Sequence, residues 1–246
     1  MSDHLRAERA GAVLRLTLAR PEKKNALTRD MYAALADALT SAAGDDDVRA
    51  VVLAGEGGAF TGGNDLADFL MDPPTGTDSP VFAFLRAVST FPKPLVAAVE
   101  GAAVGIGTTV LLHCDLVYVA PSARFRMPFV DLGLVPEAAS SLLLPATVGA
   151  ARASEWLLLG EAFGADDALA AGLVNEVVDD PLARATERAE ALAAKPPEAM
   201  RLSKALLRRP LAAAVQATME EEGALFVERL ASPEAQAAFA AFFSRR

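Results

Sequence analysis

Only one cysteine and two histidines occur among the 246 residues, and that scarcity removes several kinds of protein at once. Cys114 alone cannot form an intramolecular disulfide framework. His4 and His113 stand far apart in sequence with no cysteine cluster beside them, so no metal site is expected. Positive charge is also short: 23 Lys and Arg against 32 Asp and Glu leave a formal charge of −9. A nucleic-acid partner would need a basic face, so none is expected. The small clusters Lys23-Lys24 and Arg245-Arg246 could still meet a phosphate locally. Nor is there a long apolar run. The longest uncharged one, Gly101 to Cys114, has 14 residues before Asp115, too few to span a bilayer, and reads as a buried helix. No membrane segment is expected. The N-terminal Met1-Ser-Asp-His-Leu-Arg6 has charges where a signal peptide needs an apolar core, and Ser-Arg-Arg at the C-terminus is not a peroxisomal address. A cytoplasmic setting is therefore the expectation.

What the chain does have is apolar material, 52% of its residues, enough for a substantial core. Ala12 to Ala19 alternates like a half-buried strand and stops at Arg20-Pro21. After the loop Pro21 to Asn25, Thr28 caps a helix carrying Met31, Tyr32, Leu35 and Leu39 at helical spacing, until Gly44 ends it. Val48 to Ala54 is apolar except for Arg49, as in a strand covered on both faces. It opens into Gly55-Glu-Gly-Gly-Ala-Phe-Thr-Gly-Gly-Asn-Asp65. Met71 to Pro80 has the clearest loop composition and is expected to be the most mobile part. A helix over Val81 to Thr90 and a strand over Pro94 to Val99 follow.

Then comes Glu100-Gly-Ala-Ala-Val-Gly-Ile-Gly-Thr-Thr-Val-Leu-Leu-His-Cys-Asp115, read as strand, glycine turn and buried helix, with Asp115 to Ala120 as the next strand. From Pro136 onward helices dominate. Pro136-Glu137 is expected to start one, with Glu137 at the positive end of its dipole. Further helices read as Ala150 to Leu159, Asp166 to Ala171, Pro181 to Ala194, Glu198 to Arg208, Leu211 to Leu230 and Pro233 to Phe243. Strand, strand, helix units predict an α/β core of stacked layers, 1–195. Lys195-Pro-Pro marks the start of a C-terminal helical region, 196–246.

Several common chemistries lack their signatures. In a dinucleotide fingerprint starting at Gly105-Ile-Gly107 the third glycine position is Val110, no G-x-x-x-x-G-K-[ST] loop occurs, and no serine sits in G-x-S-x-G. What remains is two glycine loops after strands, each able to aim peptide N–H groups at a ligand oxygen, plus the carboxylate of Glu137 in an apolar neighbourhood. The bland alternative for the loops is a tight packing turn, and for Glu137 a helix-start acid worth about 0.3–1 kcal/mol. Together, two N–H donors and one carboxylate can handle an enolate, because removing a proton beside a carbonyl creates an oxyanion.

The segments Arg20-Pro-Glu-Lys-Lys-Asn-Ala-Leu27, Ala59-Phe-Thr-Gly-Gly-Asn-Asp-Leu66, Pro92-Lys-Pro-Leu-Val-Ala-Ala-Val-Glu-Gly101, Gly172-Leu-Val174 and Ser232-Pro-Glu-Ala-Gln236, with the glycine stretch 100–115, resemble the crotonase superfamily along essentially the full chain. The resemblance implies a crotonase-like spiral of stacked ββα units with a C-terminal helical region. It also implies an acyl-CoA thioester substrate, no separate cofactor, and a homotrimer or dimer of trimers with the C-terminal helices at the subunit contacts. The thioester oxygen would lie between the peptide N–H groups of Asn64 and Ile106. Gly62, Asn64 and Ile106 depart from the commoner residues at their positions, but a main-chain donor does not depend on its own side chain. Lys23, Lys24, Asn25, Ala26, Leu27, Gly62, Asp65 and Leu66 would line the CoA groove, with a C-terminal arginine near its phosphates. Phe69, Phe82, Phe129 and Leu134 are candidates for the acyl pocket.

Within the family, the two positions that hold glutamates in hydratases correspond to Thr109 and Phe129. Val135-Pro-Glu-Ala-Ala-Ser-Ser141 is instead similar to the segment that carries the single catalytic glutamate of Δ3,Δ2-enoyl-CoA isomerases. The implied activity is migration of a 3-enoyl-CoA double bond to the 2-position, with Glu137 as proton carrier. A hydratase, another crotonase-family acyl-CoA enzyme and a non-catalytic acyl-CoA-binding subunit are the alternatives. Asp131 is the second acid to test; Asp68 and Glu100 read as solvated or loop-capping, His113 and Cys114 as core, and Trp156 as packing.

Overall fold

The computed structural model describes residues 2–76 and 79–244. Thr77 and Asp78 of the expected mobile loop, and the Arg245-Arg246 pair, lie outside these. Strands β1 (Leu5–Ala10), β2 (Val13–Leu18), β3 (Ala50–Gly55), β4 (Leu95–Val99), β6 (Leu116–Val119) and β9 (Glu176–Val177) form one sheet in the order β1-β2-β3-β4-β6-β9. All neighbours are parallel except the β1–β2 hairpin. A smaller sheet joins β5 (Ala102–Val104), β7 (Arg124–Arg126) and β8 (Phe163–Gly164) in the order β5-β7-β8. The α/β class and the stacked strand and helix units are as expected.

Helices fall on both faces of the larger sheet. Thr28 Oγ1 accepts from Met31 N at 3.3 Å and starts α1 (Arg29–Gly44) as its sequence predicts. Next come the one-and-a-half-turn α2 (Leu66–Met71), then α3 (Pro80–Thr90), which packs on α1. Both press on Val51, Leu53, Leu95 and Ala97 in the main apolar core. The opposite face of the same strands, Ala50, Val52, Val96 and Ala98, meets Ala185, Ala189 and Ala193 of the later helix Pro181–Ala193. Alanines four residues apart lie on one helix face, and their small side chains let the helix sit close to the sheet. This two-sided burial explains the near-unbroken apolar runs of β3 and β4.

The glycine stretch is split more finely than expected. After β5 comes α4 (Ile106–Thr109), then a 3-10 turn over Val110–His113. The helix expected from Pro136 begins later, as α5 (Ser140–Val148). Ala138 and Ala139 have φ of 61° and 54°, so Glu137 stands in a left-handed turn before the helix rather than in its first turn. The dipole argument for Glu137 therefore does not apply. The chain continues through α6 (Ala150–Leu158), α7 (Ala165–Ala170), α8 (Pro181–Ala193), α9 (Pro197–Arg208), α10 (Ala212–Leu230) and α11 (Pro233–Ser244).

The expected boundary falls between α8 and α9. Beyond it, Lys204 Nζ on α9 reaches Asp115 Oδ2 and Lys93 O, both at 2.6 Å. Val215, Met219, Phe226 and Leu230 on α10, with Ala235 and Phe239 on α11, join the main core. No helix among the described residues is long and apolar enough to cross a membrane.

Candidate active site

Two loops after parallel strands are laced together. Phe60 N donates to Glu100 O at 2.7 Å, Thr61 N to Ala102 O at 2.9 Å and Val104 N to Thr61 O at 3.0 Å. Gly63 packs so tightly on this lacing that a Cβ there would stand 2.9 Å from Val104 O, and its φ of 89° is one that side-chain-bearing residues rarely adopt. Gly105, at φ 55°, turns the chain from β5 into α4 while its N–H donates to Arg126 O at 2.8 Å. The segments 61–64 and 104–107 are thereby set side by side.

Neither the Asn64 nor the Ile106 peptide N–H donates a hydrogen bond among the described residues. Its neighbours are spent: Leu27 N donates to Gly63 O and Asp65 N to Leu27 O. Ile106 is the first residue of α4, where an N–H has no partner within its own helix. Such a pair of free amides can hold an oxyanion.

Glu137 is 7% exposed, and its Oε1 accepts from Thr109 Oγ1 at 2.5 Å. One turn of α4 thus carries a free amide at its first residue and the acid's partner at its last. Burial pushes the Glu137 carboxyl up to about 8; the Thr109 hydrogen bond pulls it down, and the charge of Glu222 on α10 pushes it further up. Tyr32, buried on α1, donates its hydroxyl to the Asn64 side-chain oxygen. Burial raises its pKa well above the usual phenol value, and the charge of Glu137 adds to this. Glu137, Thr109, Tyr32 and Asn64 therefore share one neighbourhood. A group with a raised pKa near neutrality, buried beside free donors, can take and return a proton.

The turn bearing Glu137 is tied down on three sides. Ser140 N donates to Glu137 O at 3.1 Å. His113 Nε2 pairs with Ala138 O at 2.8 Å, and burial holds that imidazole down to about 4, so near neutrality it is uncharged and donates. The Glu222 carboxylate accepts from Ala139 N at 2.6 Å and Ser141 N at 2.9 Å.

The remaining sequence candidates divide. Lys24 O accepts from Gly62 N at 2.7 Å, which with the Leu27 contacts sets Lys24–Leu27 beside Gly62–Leu66, and Lys23 and Lys24 are exposed. Asp65 is paired with Arg20 at 2.7 Å and caps α2 through Ala67 N and Asp68 N. Asn25 is fully buried and used internally: its side chain accepts from Arg20 N and donates to Glu56 O and Ala59 O, its own N–H donates to Arg20 O and its carbonyl accepts from Thr61 Oγ1, so it braces the groove from within and offers a ligand no group, contrary to its expected place in the CoA groove. Asp131 stands in a half-exposed ion pair with Arg126.

One small pocket lies against Ile106, Thr61, Phe60, Leu27 and Val110, and a second is lined by Tyr32, Phe69, Arg29, Ser79 and Pro80. Phe82, Phe129 and Leu134 are buried in the main core and line neither. Trp156 stacks on Phe163 at 3.6 Å between centroids, as packing. Sequence reasoning missed Tyr32 as a polar group and Glu222 altogether. The signal for Glu222 was its place on the apolar stripe Val215, Met219, Phe226, Leu230.

Known proteins share this fold and much of this sequence. The solved structure of Pseudomonas aeruginosa OdaA superposes with a TM-score of 0.95 over 98% of this chain and 99% of that one, at 48% identity. The enoyl-CoA delta isomerase 2 of Rattus norvegicus is 38% identical over 244 residues, and the match spans 96% of this chain but 62% of the rat protein. The 2,3-dehydroadipyl-CoA hydratase of Escherichia coli K12 is 35% identical over 240 residues, covering 95% of this chain and 93% of that one. The fold is that of the crotonase enzymes. The sequence profile described as enoyl-CoA hydratase/isomerase matches residues 8–246, and the chain belongs to that family.

Proposed function

We propose that the chain is a Δ3,Δ2-enoyl-CoA isomerase. The observation that carries this reading is the hydrogen bond of Glu137 to Thr109, at a position where hydratases of this family hold a glutamate: one buried carboxyl can move a proton from one carbon to another, whereas water addition in this family draws on two glutamates. In the proposed reaction ionised Glu137 takes the C2 proton of a 3-enoyl-CoA. The C2–H electron pair moves into a dienolate whose thioester oxygen the Asn64 and Ile106 N–H groups hold, each worth about 10²–10³ in rate. Glu137 then returns the proton at C4, leaving the double bond at C2. No separate cofactor takes part, since CoA is the substrate's own handle.

A hydratase is the second reading, and similarity to the E. coli hydratase favours it; Thr109 and Phe129 at the hydratase acid positions oppose it. The Thr109 contact also speaks against a purely binding role, because it turns Glu137 toward the helix that Ile106 begins. A trimer or dimer of trimers belongs to the same proposal. The test is a panel of 3-enoyl- and 2-enoyl-CoA thioesters on the wild type and Glu137→Gln. The variant should lose at least about 10²-fold in isomerase turnover and still bind acyl-CoA. Wild-type turnover in Glu137→Gln would end this reading.

A further inference from the structure

Glu222 stands 85 residues after Glu137 in sequence, on α10, and is 6% exposed. An acid on the apolar stripe of a helix costs stability unless it is hydrogen-bonded. Its bonds all go to one place. The two carboxylate oxygens accept separately from Ala139 N and Ser141 N, the amides that flank the start of α5. Ala139, the residue at the N-cap of α5, has no side chain able to cap, so Glu222 supplies from α10 what the local sequence lacks.

The turn it holds is strained. Two consecutive alanines in the left-handed region bring Cβ close to the following carbonyl oxygen, and such a conformation persists only where its surroundings enforce it. Gly223 lets the helices approach closely: a Cβ there would come within 2.6 Å of Phe82 Cε1 on α3, so a side chain next to Glu222 would force the Phe82 ring or α10 to shift.

We propose that Glu222 is a positioning residue for Glu137, clamping the Ala138–Ala139 turn so that the acid faces Thr109 and setting a like charge beside it. The ionisable groups around the pair are few. Tyr32 comes from α1, His113 from the 3-10 turn, and Glu221 from α10 itself. Neither α4 nor α5 carries any, and α3 carries Arg86 alone. With His113 neutral, the charge that acts on Glu137 is that of Glu222; burial raises the Glu222 carboxyl too, and in its ionised form it makes Glu137 hold its proton more tightly.

This inference rests on Glu137 being the proton carrier, and the two ideas fail separately. In Glu222→Gln one of the two amides loses its acceptor and the like charge is gone. Isomerase kcat should fall about tenfold with KM near the wild-type value, and the acid limb of kcat/KM should move to lower pH. A merely structural role would lower kcat without moving that limb. An unmoved limb, or an unchanged kcat, overturns the proposal. Should Glu222→Gln fail to fold, Glu222→Asp keeps the charge but draws it back by one methylene. A lowered kcat together with an acid limb below the wild type supports the proposal, and a wild-type profile overturns it. If Glu137→Gln itself stays active, it is the assignment of Glu137 that falls.

Discussion

The Thr109 hydroxyl donates to Glu137 Oε1 at 2.5 Å, and this contact sets the acid against the helix that opens at Ile106. A hydrogen bond to a carboxylate favours its charged form, so Thr109 holds the Glu137 pKa below the level that burial alone would set. In Thr109→Val the acid should retain its proton to higher pH. The acid limb of kcat/KM should move upward, with turnover at neutral pH reduced about three- to tenfold. An unmoved limb would show that the contact does not act on the reaction.

Stability should fall as pH rises, and Glu137 is the reason. A carboxyl whose folded pKa is raised from 4.5 to about 8 binds its proton more tightly when folded, so its contribution is fully present below about 4.5 and is lost as pH climbs through 8. At roughly 1.4 kcal/mol per unit the loss is at most about 5 kcal/mol. Glu137→Gln should therefore melt higher than the wild type at pH 9 and near it at pH 4. Equal melting temperatures at pH 9 would contradict the burial argument.

Tyr32→Phe removes the donor to the Asn64 side chain while keeping the ring packed on Phe84. The Asn64 amide would then be less firmly aimed. We expect kcat/KM to fall about three- to tenfold and stability by about 1 kcal/mol. A large unfolding effect without a change in kcat/KM per folded molecule would make Tyr32 a packing residue only.

Gly63→Ala places a Cβ 2.9 Å from Val104 O at a φ of 89°. The two loops would have to part, at a cost of about 1–3 kcal/mol. Turnover should drop more than acyl-CoA binding, as separate measurements of kcat and Kd would reveal.

Hydration of crotonyl-CoA should be slow or absent in the wild type, since Thr109 and Phe129 supply no acid. Hydration at a rate matching isomerisation would favour the second reading.

Much of this architecture can be read from local pattern. Thr28 before an apolar helix, the unbroken runs of β3 and β4, and glycines after two strands each declare themselves within a dozen residues. What escapes does so for physical reasons. In β1 only Leu5 is buried, so the strand lacks the alternation that would reveal it. The helix start after Pro136 is displaced because the cap of α5 comes from Glu222, 81 and 83 residues beyond the amides it holds. Asn25 has the composition of a groove residue, yet its amide is consumed by three main-chain groups that only the fold brings near. Glu137 is legible as an acid beside Pro136 and apolar residues; its partner Thr109 is visible only as a missing glutamate.

The clamp from α10 also bears on how such a chain can be divided. A fragment ending at residue 195 would contain both free amides, Thr109 and Glu137, every group the proposed chemistry uses. It would nonetheless leave the Ala139 and Ser141 amides without their acceptor and the left-handed turn free to relax. Shortening, swapping or grafting the last three helices is thus an intervention at the reacting centre, and engineering of the C-terminus should be judged by turnover before it is judged by solubility.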